Sequence, residues 1–179
     1  MNIFLRLKNW QFFGLLCIFH IFSMIAILLN EQPTMMFIGF LLFLGSYLCW
    51  FYALATYLNK RLPKKVKMNL VKFKWFLFIL SVYLFMFGVF AFYFWIKTNS
   101  FGIFNIILPF HLLSMFFMLY CLNFVAKSLK AVELQRTVTF SDYIEEFFII
   151  CFFYPIGIWI IQPRINKMFN KTLHWKGNF

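Results

Sequence analysis

The sequence predicts an all-α integral membrane protein, a four-helix transmembrane bundle built from two helical hairpins. Hydrophobic residues make up 64% of its 179 residues, and the mean hydropathy is +0.82. Each of four long apolar runs can cross a hydrocarbon core of roughly 30 Å at about 1.5 Å per helical residue. The runs cover residues 11–29, 35–57, 75–96 and 103–126.

The basic residues give these predicted spans an orientation. With the N-terminus inside, all but one of the 17 Lys and Arg residues are cytoplasmic, and Lys97 is the exception. Basic residues are retained on the cytoplasmic side of a membrane. We therefore expect a single membrane domain over residues 1–179, in the inner (cytoplasmic) membrane of a bacterium, with the N-terminus and the C-terminus in the cytoplasm.

Short connections define the two hairpins. Residues 30–34 join the first two runs and residues 97–102 join the last two, so the helices of each pair are antiparallel neighbours. Between the hairpins, Pro63 should end the second helix near Leu62. Small residues spaced by seven predict left-handed helix packing. They are Gly39, Ser46 and Ala53 in the second run, Ser81 and Gly88 in the third, and Ser114 and Cys121 in the fourth.

The chain beyond the fourth run predicts shorter helices. The fourth helix should continue as a cytoplasmic helix over residues 127–136. Thr139 and Asp142 have capping-box spacing, which indicates that a new helix begins there.

Residues 141–161 are interpreted as a re-entrant or interfacial helical element on the cytoplasmic side. Their apolar part is too short to span, Pro155 removes a backbone donor, and Gly157 lets the chain turn nearby. A basic tail of residues 162–179 would follow, with Pro163 starting its surface helix.

The formal net charge of +12 does not indicate a nucleic-acid partner, because membrane sidedness accounts for it and no nucleic-acid-binding motif accompanies it. We expect contact with the lipid bilayer and its anionic headgroups instead. The residues placed to make this contact are Lys60, Arg61, Lys64, Lys65 and Lys67.

Two histidines lie inside predicted spans, His20 in the first and His111 in the fourth. Counted along antiparallel helices, their depths differ by roughly 3–5 Å. Two inward imidazoles could bind one b-type haem as axial ligands. The favoured interpretation is that each imidazole hydrogen-bonds across helices, with a proton or substrate pathway as a further alternative. We therefore expect no cofactor, with haem b at His20 and His111 as the alternative.

Asp142, Glu145 and Glu146 form an acidic cluster on one predicted helix face. Carboxylates in this arrangement could bind a divalent metal. Acids in the first turn of a helix also offset its dipole, and this is the interpretation that we favour. The sequence contains no GxSxG, P-loop or HExxH motif, so no catalytic residue and no metal site are expected.

The C-terminal segment contains three distinctive stretches, SDYIEEFF at 141–148, YPIGIW at 154–159 and QPRINK at 162–167. Together they resemble a segment of small polytopic membrane proteins of Bacteroidetes-type bacteria. It implies a bacterial origin and a membrane protein, and it implies no activity or functional residue.

Three functional hypotheses follow. The first is a non-catalytic accessory or scaffold subunit that packs beside a larger membrane complex or forms a homo-oligomer. The second is a redox or ligand-binding membrane protein that uses His20 and His111. The third is a small transporter, which would have to oligomerise because four helices seldom enclose a pathway alone.

Overall fold

The computed structural model describes residues 5, 7–28, 33–97, 104–152 and 154–176. All secondary-structure elements in these ranges are helical, so the predicted all-α class is confirmed. The helices are α1 (Asn9–Leu28), α2 (Pro33–Arg61), α3 (Leu70–Lys97), α4 (Phe104–Leu134), α5 (Phe140–Phe152) and α6 (Tyr154–Lys176), with a 3₁₀ turn at Lys64–Val66.

Three helices are long and apolar enough to cross a membrane, judged by length and composition within the described residues. These segments are Phe37–Arg61 in α2, Leu70–Phe90 in α3 and Leu108–Leu134 in α4. In α1, Trp10–Phe19 is a shorter apolar helix. The structure is therefore that of a membrane-type helical protein, and a fourth span through α1 stays a prediction.

Polar side chains bond backbone donors at the starts of α1 and α3. Gln11 Oε1 accepts a hydrogen bond from the Lys8 backbone N–H at 2.9 Å, before α1. Asn69 Oδ1 accepts from the Lys72 N–H at 3.1 Å at the start of α3. Such bonds satisfy backbone donors that have no partner within the helix. The bond to Asn69 explains why α3 begins at Leu70, several residues before the predicted span.

Each of the first four helices packs on the next helix in the chain, and the last two helices pack at one end of the bundle. α1 packs on α2 and α6, α2 on α3 and α4, α3 on α4, and α5 on α4 and α6. The adjacent pairs α1–α2 and α3–α4 match the two predicted hairpins.

The buried core lies at the end of the bundle where residues 62–69 connect α2 to α3, which we call the basic end. Phe12 and Trp50 stack there with ring centroids 5.3 Å apart, and Phe73 stacks on Phe124 at 4.6 Å. The opposite halves of α1 to α4, the outer halves, expose large apolar side chains. Examples are Ile21, Met24, Leu42, Met86, Phe110 and Phe116.

Small residues bring α2 and α3 close together in the outer half. Gly39 and Gly88 are buried, and a Cβ added at Gly88 would lie 3.1 Å from Cε1 of Phe40. Ser114 and Cys121 are also buried, whereas Ser46 and Ser81 are only half-buried. The seven-residue spacing therefore identified several inward-facing positions but not all of its members.

Two expectations about the C-terminal segment are wrong. Pro163 does not start a helix, because α6 continues through it from Tyr154 to Lys176. Gln162 and Asn166, on either side of the proline, both donate to the carbonyl of Leu7, at 3.0 and 3.3 Å. These contacts keep the two parts of α6 against the N-terminal segment and offset the backbone hydrogen bond that a proline removes.

Gly157 is the second difference, because it lies inside α6 with a negative φ rather than at a turn. A Cβ at this position would lie 2.9 Å from the carbonyl oxygen of Ile149 on α5. Glycine is needed here for close approach of two helices. The predicted element at 141–161 is thus divided between α5 and α6, and its position in a membrane stays a prediction.

Candidate functional site

The strongest candidate site in the described residues is a network of ion pairs at the basic end, centred on Glu146 of α5. This carboxylate is only 2% exposed. Its Oε1 accepts hydrogen bonds from Lys130 Nζ on α4 and from Arg164 Nη2 on α6, each at 2.9 Å. One carboxylate oxygen therefore joins three helices.

Arg164 extends the network to a second carboxylate. Its Nε donates to Glu133 Oε1 at 2.7 Å, and its Nη2 also bonds Glu133 Oε2. Paired guanidinium–carboxylate bonds of this kind are directional as well as strong. Because Lys130 and Arg164 balance Glu133 and Glu146, the network carries no net charge.

The pKa shifts show that the network stabilises the ionised forms. Burial raises the pKa of Glu146, but the hydrogen bonds from Arg164 and Lys130 outweigh burial, and the net shift is downward from 4.5. The hydrogen bonds that Arg164 donates to Glu133 raise the pKa of Arg164, although its burial opposes them. Both shifts favour the charged forms of Glu146 and Arg164 at neutral pH. The Glu146 Oε2 atom is buried without a hydrogen-bond partner among the described residues.

A second polar contact joins α2, α6 and the N-terminal segment. Gln162 is fully buried, and its Oε1 accepts from the indole N–H of Trp50 at 3.1 Å. Its amide donates to the Leu7 carbonyl. Buried polar groups are costly unless paired, and here each partner satisfies the other.

The two residues of the predicted capping box lie at the start of α5, and the acid bonds the backbone N–H of Thr139 as expected. Asp142 Oδ2 accepts from the Thr139 backbone N–H at 2.8 Å and from its hydroxyl at 2.9 Å. Arg136 adds an ion pair at 3.0 Å. The hydrogen bond from the Thr139 backbone N–H lowers the pKa of Asp142 most, and the bond from the Thr139 hydroxyl lowers it further.

The three acids of the predicted cluster have separate surroundings. Asp142 caps α5, Glu146 lies in the buried network, and Glu145 is exposed. Within the described part of the chain, no group of three or more His, Cys, Asp or Glu side chains could hold a metal ion. The arrangement orients helices and presents no assembled ligand set.

His111 is exposed in the outer half of α4 and contacts α3. Its Nδ1 lies 3.3 Å from the Tyr83 hydroxyl. The side chain of His20 lies outside the described residues, so the predicted pairing of the two imidazoles stays a prediction. α1, which carries His20, packs on α2 and α6, whereas α4 packs on α2, α3 and α5.

Reasoning from the sequence missed the partners of Glu146 and Gln162. Lys130 and Glu133 are three residues apart and therefore share a helix face, which is one available signal. Gln162 and Arg164 directly follow an apolar run, which is a second. Neither signal identifies which distant residue is the partner.

No protein-family model, curated protein or solved structure matches this chain. The resemblance of its C-terminal segment to membrane proteins of Bacteroidetes-type bacteria stays a prediction.

Proposed function

We propose that this protein is a non-catalytic membrane subunit that assembles with a larger membrane complex or with copies of itself. One observation carries the proposal: two of the most buried polar side chains described, Glu146 and Gln162, are bonded between helices. Glu146 joins α4, α5 and α6, and Gln162 joins α2, α6 and the N-terminal segment. Groups held in this way position a scaffold rather than perform chemistry, while the outer halves offer a large apolar surface.

The proposed setting is a bacterial inner membrane, with four spans including α1 and both termini in the cytoplasm. The basic end would then face the cytoplasm, as positive charge does in such proteins. α5 and α6 would lie at the cytoplasmic interface as the re-entrant or interfacial element. Their ion pairs with α4 support this placement, because charged groups cost least near the aqueous boundary.

The exposed basic residues in and beside the loop between α2 and α3 favour a partner with negative charge. Every ion pair found among the described residues joins residues between 130 and 164. Lys60, Lys64, Lys65 and Lys67 are instead exposed, and none of these ion pairs includes them. Anionic headgroups of the surrounding bilayer, at about 1 kcal/mol per basic residue near the surface, would balance them.

The test is extraction of the tagged protein in native lipid particles, followed by mass measurement and an absorption spectrum. The proposal expects protein mass above the 21.8 kDa of one chain, from further copies or a co-purifying membrane protein. It also expects no Soret band. A single chain per particle would contradict the proposal, and a Soret band lost in His111→Ala would support the haem alternative.

A further inference from the structure

The outer half of α4 is an edge of the bundle. It packs on α3, where Phe76 contacts Phe117 and Tyr120 with ring centroids 5.2 and 4.5 Å apart. Between Leu108 and Leu119, every residue except Ser114 and Phe117 is exposed. A spanning helix in the middle of a bundle would bury far more of its surface, so this segment has room for another helix.

The exposed residues include a seam with the spacing of a helix–helix interface. Leu108, His111, Met115 and Met118 follow each other at steps of three, four and three residues. We call them the α4 seam. Residues at this spacing lie on one face of a helix. That face can pack along a second helix that crosses the first at a shallow left-handed angle. Leu108, Met115 and Met118 are 56%, 50% and 40% exposed.

His111 gives the α4 seam a polar centre that lipid cannot satisfy. A neutral imidazole has one donor nitrogen and one acceptor nitrogen, and the contact with Tyr83 uses Nδ1. In the predicted span of residues 103–126, His111 lies eight residues, or about 12 Å of helix rise, inside the outer end, where acyl chains offer no hydrogen bond. The occupant of the seam must therefore supply a polar group at the same depth.

We propose that the occupant is a second copy of this chain, with α4 against α4 about a two-fold axis along the membrane normal. Such an axis places each residue and its copy at equal depth. The Tyr83 hydroxyl also hydrogen-bonds Ser114 of its own chain. Its oxygen carries one donor hydrogen and two lone pairs, so it can bond its own His111 and the partner's His111 as well. The pair is self-complementary, and a single polar position in a seam fixes its register.

This inference rests on the proposed function and names the surface that assembles. The first experiment is oxidative cross-linking in native membranes of a chain whose four cysteines are replaced by alanine. Leu108→Cys and Met115→Cys lie in the α4 seam, and Leu113→Cys, 52% exposed on another face, is the matched control. A disulfide needs Cα atoms within about 7 Å, so we expect about tenfold more dimer from the seam positions.

The second experiment measures dimerisation by energy transfer between labelled chains in lipid vesicles. His111→Leu and Tyr83→Phe each remove two symmetric polar contacts, and we expect the dissociation constant to rise about tenfold. Leu113→Ala should leave it unchanged. Because His111 is exposed, its replacement leaves the packed basic end intact.

Equal cross-linking at all three positions, or cross-links to a different protein, would overturn the two-fold dimer. If the chain is monomeric but co-purifies with another membrane protein, the dimer is wrong and the proposed function stands. If it is monomeric and has no partner, both are wrong.

Discussion

Trp50→Ala is expected to lower the free energy of unfolding more than any other single substitution considered for this protein. Trp50 is 1% exposed, stacks on Phe12 and donates its indole N–H to Gln162. Truncating a buried Trp to Ala costs about 3–5 kcal/mol in water-soluble proteins. Detergent solvates the apolar surface of unfolded helices, which removes part of the transfer term, so we expect about 2–4 kcal/mol here. The measurement is unfolding in mixed micelles.

Trp75→Ala is the matched control, because Trp75 lies at the same end of the bundle but is 61% exposed. Its replacement should change the free energy of unfolding by less than about 0.5 kcal/mol. Trp50→Phe should lie between the two, since it keeps the ring contact with Phe12 but leaves the Gln162 oxygen without its donor. Equal effects at Trp50 and Trp75 would show that the core does not lie at the basic end.

Glu146→Ala is expected to destabilise the fold by about 2–3 kcal/mol, measured in the same way. The substitution removes the carboxylate that Lys130 and Arg164 share. The loss is smaller than the roughly 3–5 kcal/mol of a fully buried pair, because the two cations are 24% and 30% exposed and Arg164 keeps Glu133.

The pH dependence of this loss tests its electrostatic origin. The network lowers the pKa of Glu146 in the folded protein below the usual 4.5, so its contribution is fully present above that pH. It is lost as the pH falls through the lowered value. The difference between wild type and Glu146→Ala should therefore be constant at neutral pH and shrink in acid. Glu145→Ala, an exposed neighbour, should show neither effect; a loss of similar size at Glu145 would contradict the network.

Much of the fold follows from local patterns in the sequence. Apolar runs of spanning length predicted α2, α3 and α4, because a helix must satisfy its own backbone in lipid. Pro63 correctly placed the end of α2, which stops at Arg61. The spacing of Thr139 and Asp142 predicted the start of α5, since a capping box involves only four consecutive residues.

The parts that depend on distant contacts were not predictable. Pro163 indicates a helix start when read locally, but Gln162 and Asn166 hold α6 against Leu7 across more than 150 residues of chain. Gly157 likewise suggests a turn, although its role is set by Ile149 on another helix. The pairing of Glu146 with Arg164 and Lys130 depends on how α4, α5 and α6 meet, which no spacing in the sequence encodes.

The orientation of the bundle underlies the proposed lipid contact, the interfacial placement of α5 and α6, and the membrane depth of His111. Labelling of single cysteines by a membrane-impermeant reagent tests it most directly, in a chain without its native cysteines. Lys65→Cys lies at the basic end, and Thr34→Cys lies at the opposite end, near the start of α2. We predict that the Thr34 variant is labelled in intact cells and the Lys65 variant only after the cells are opened. Labelling of the Lys65 variant in intact cells would contradict the cytoplasmic location of the basic end.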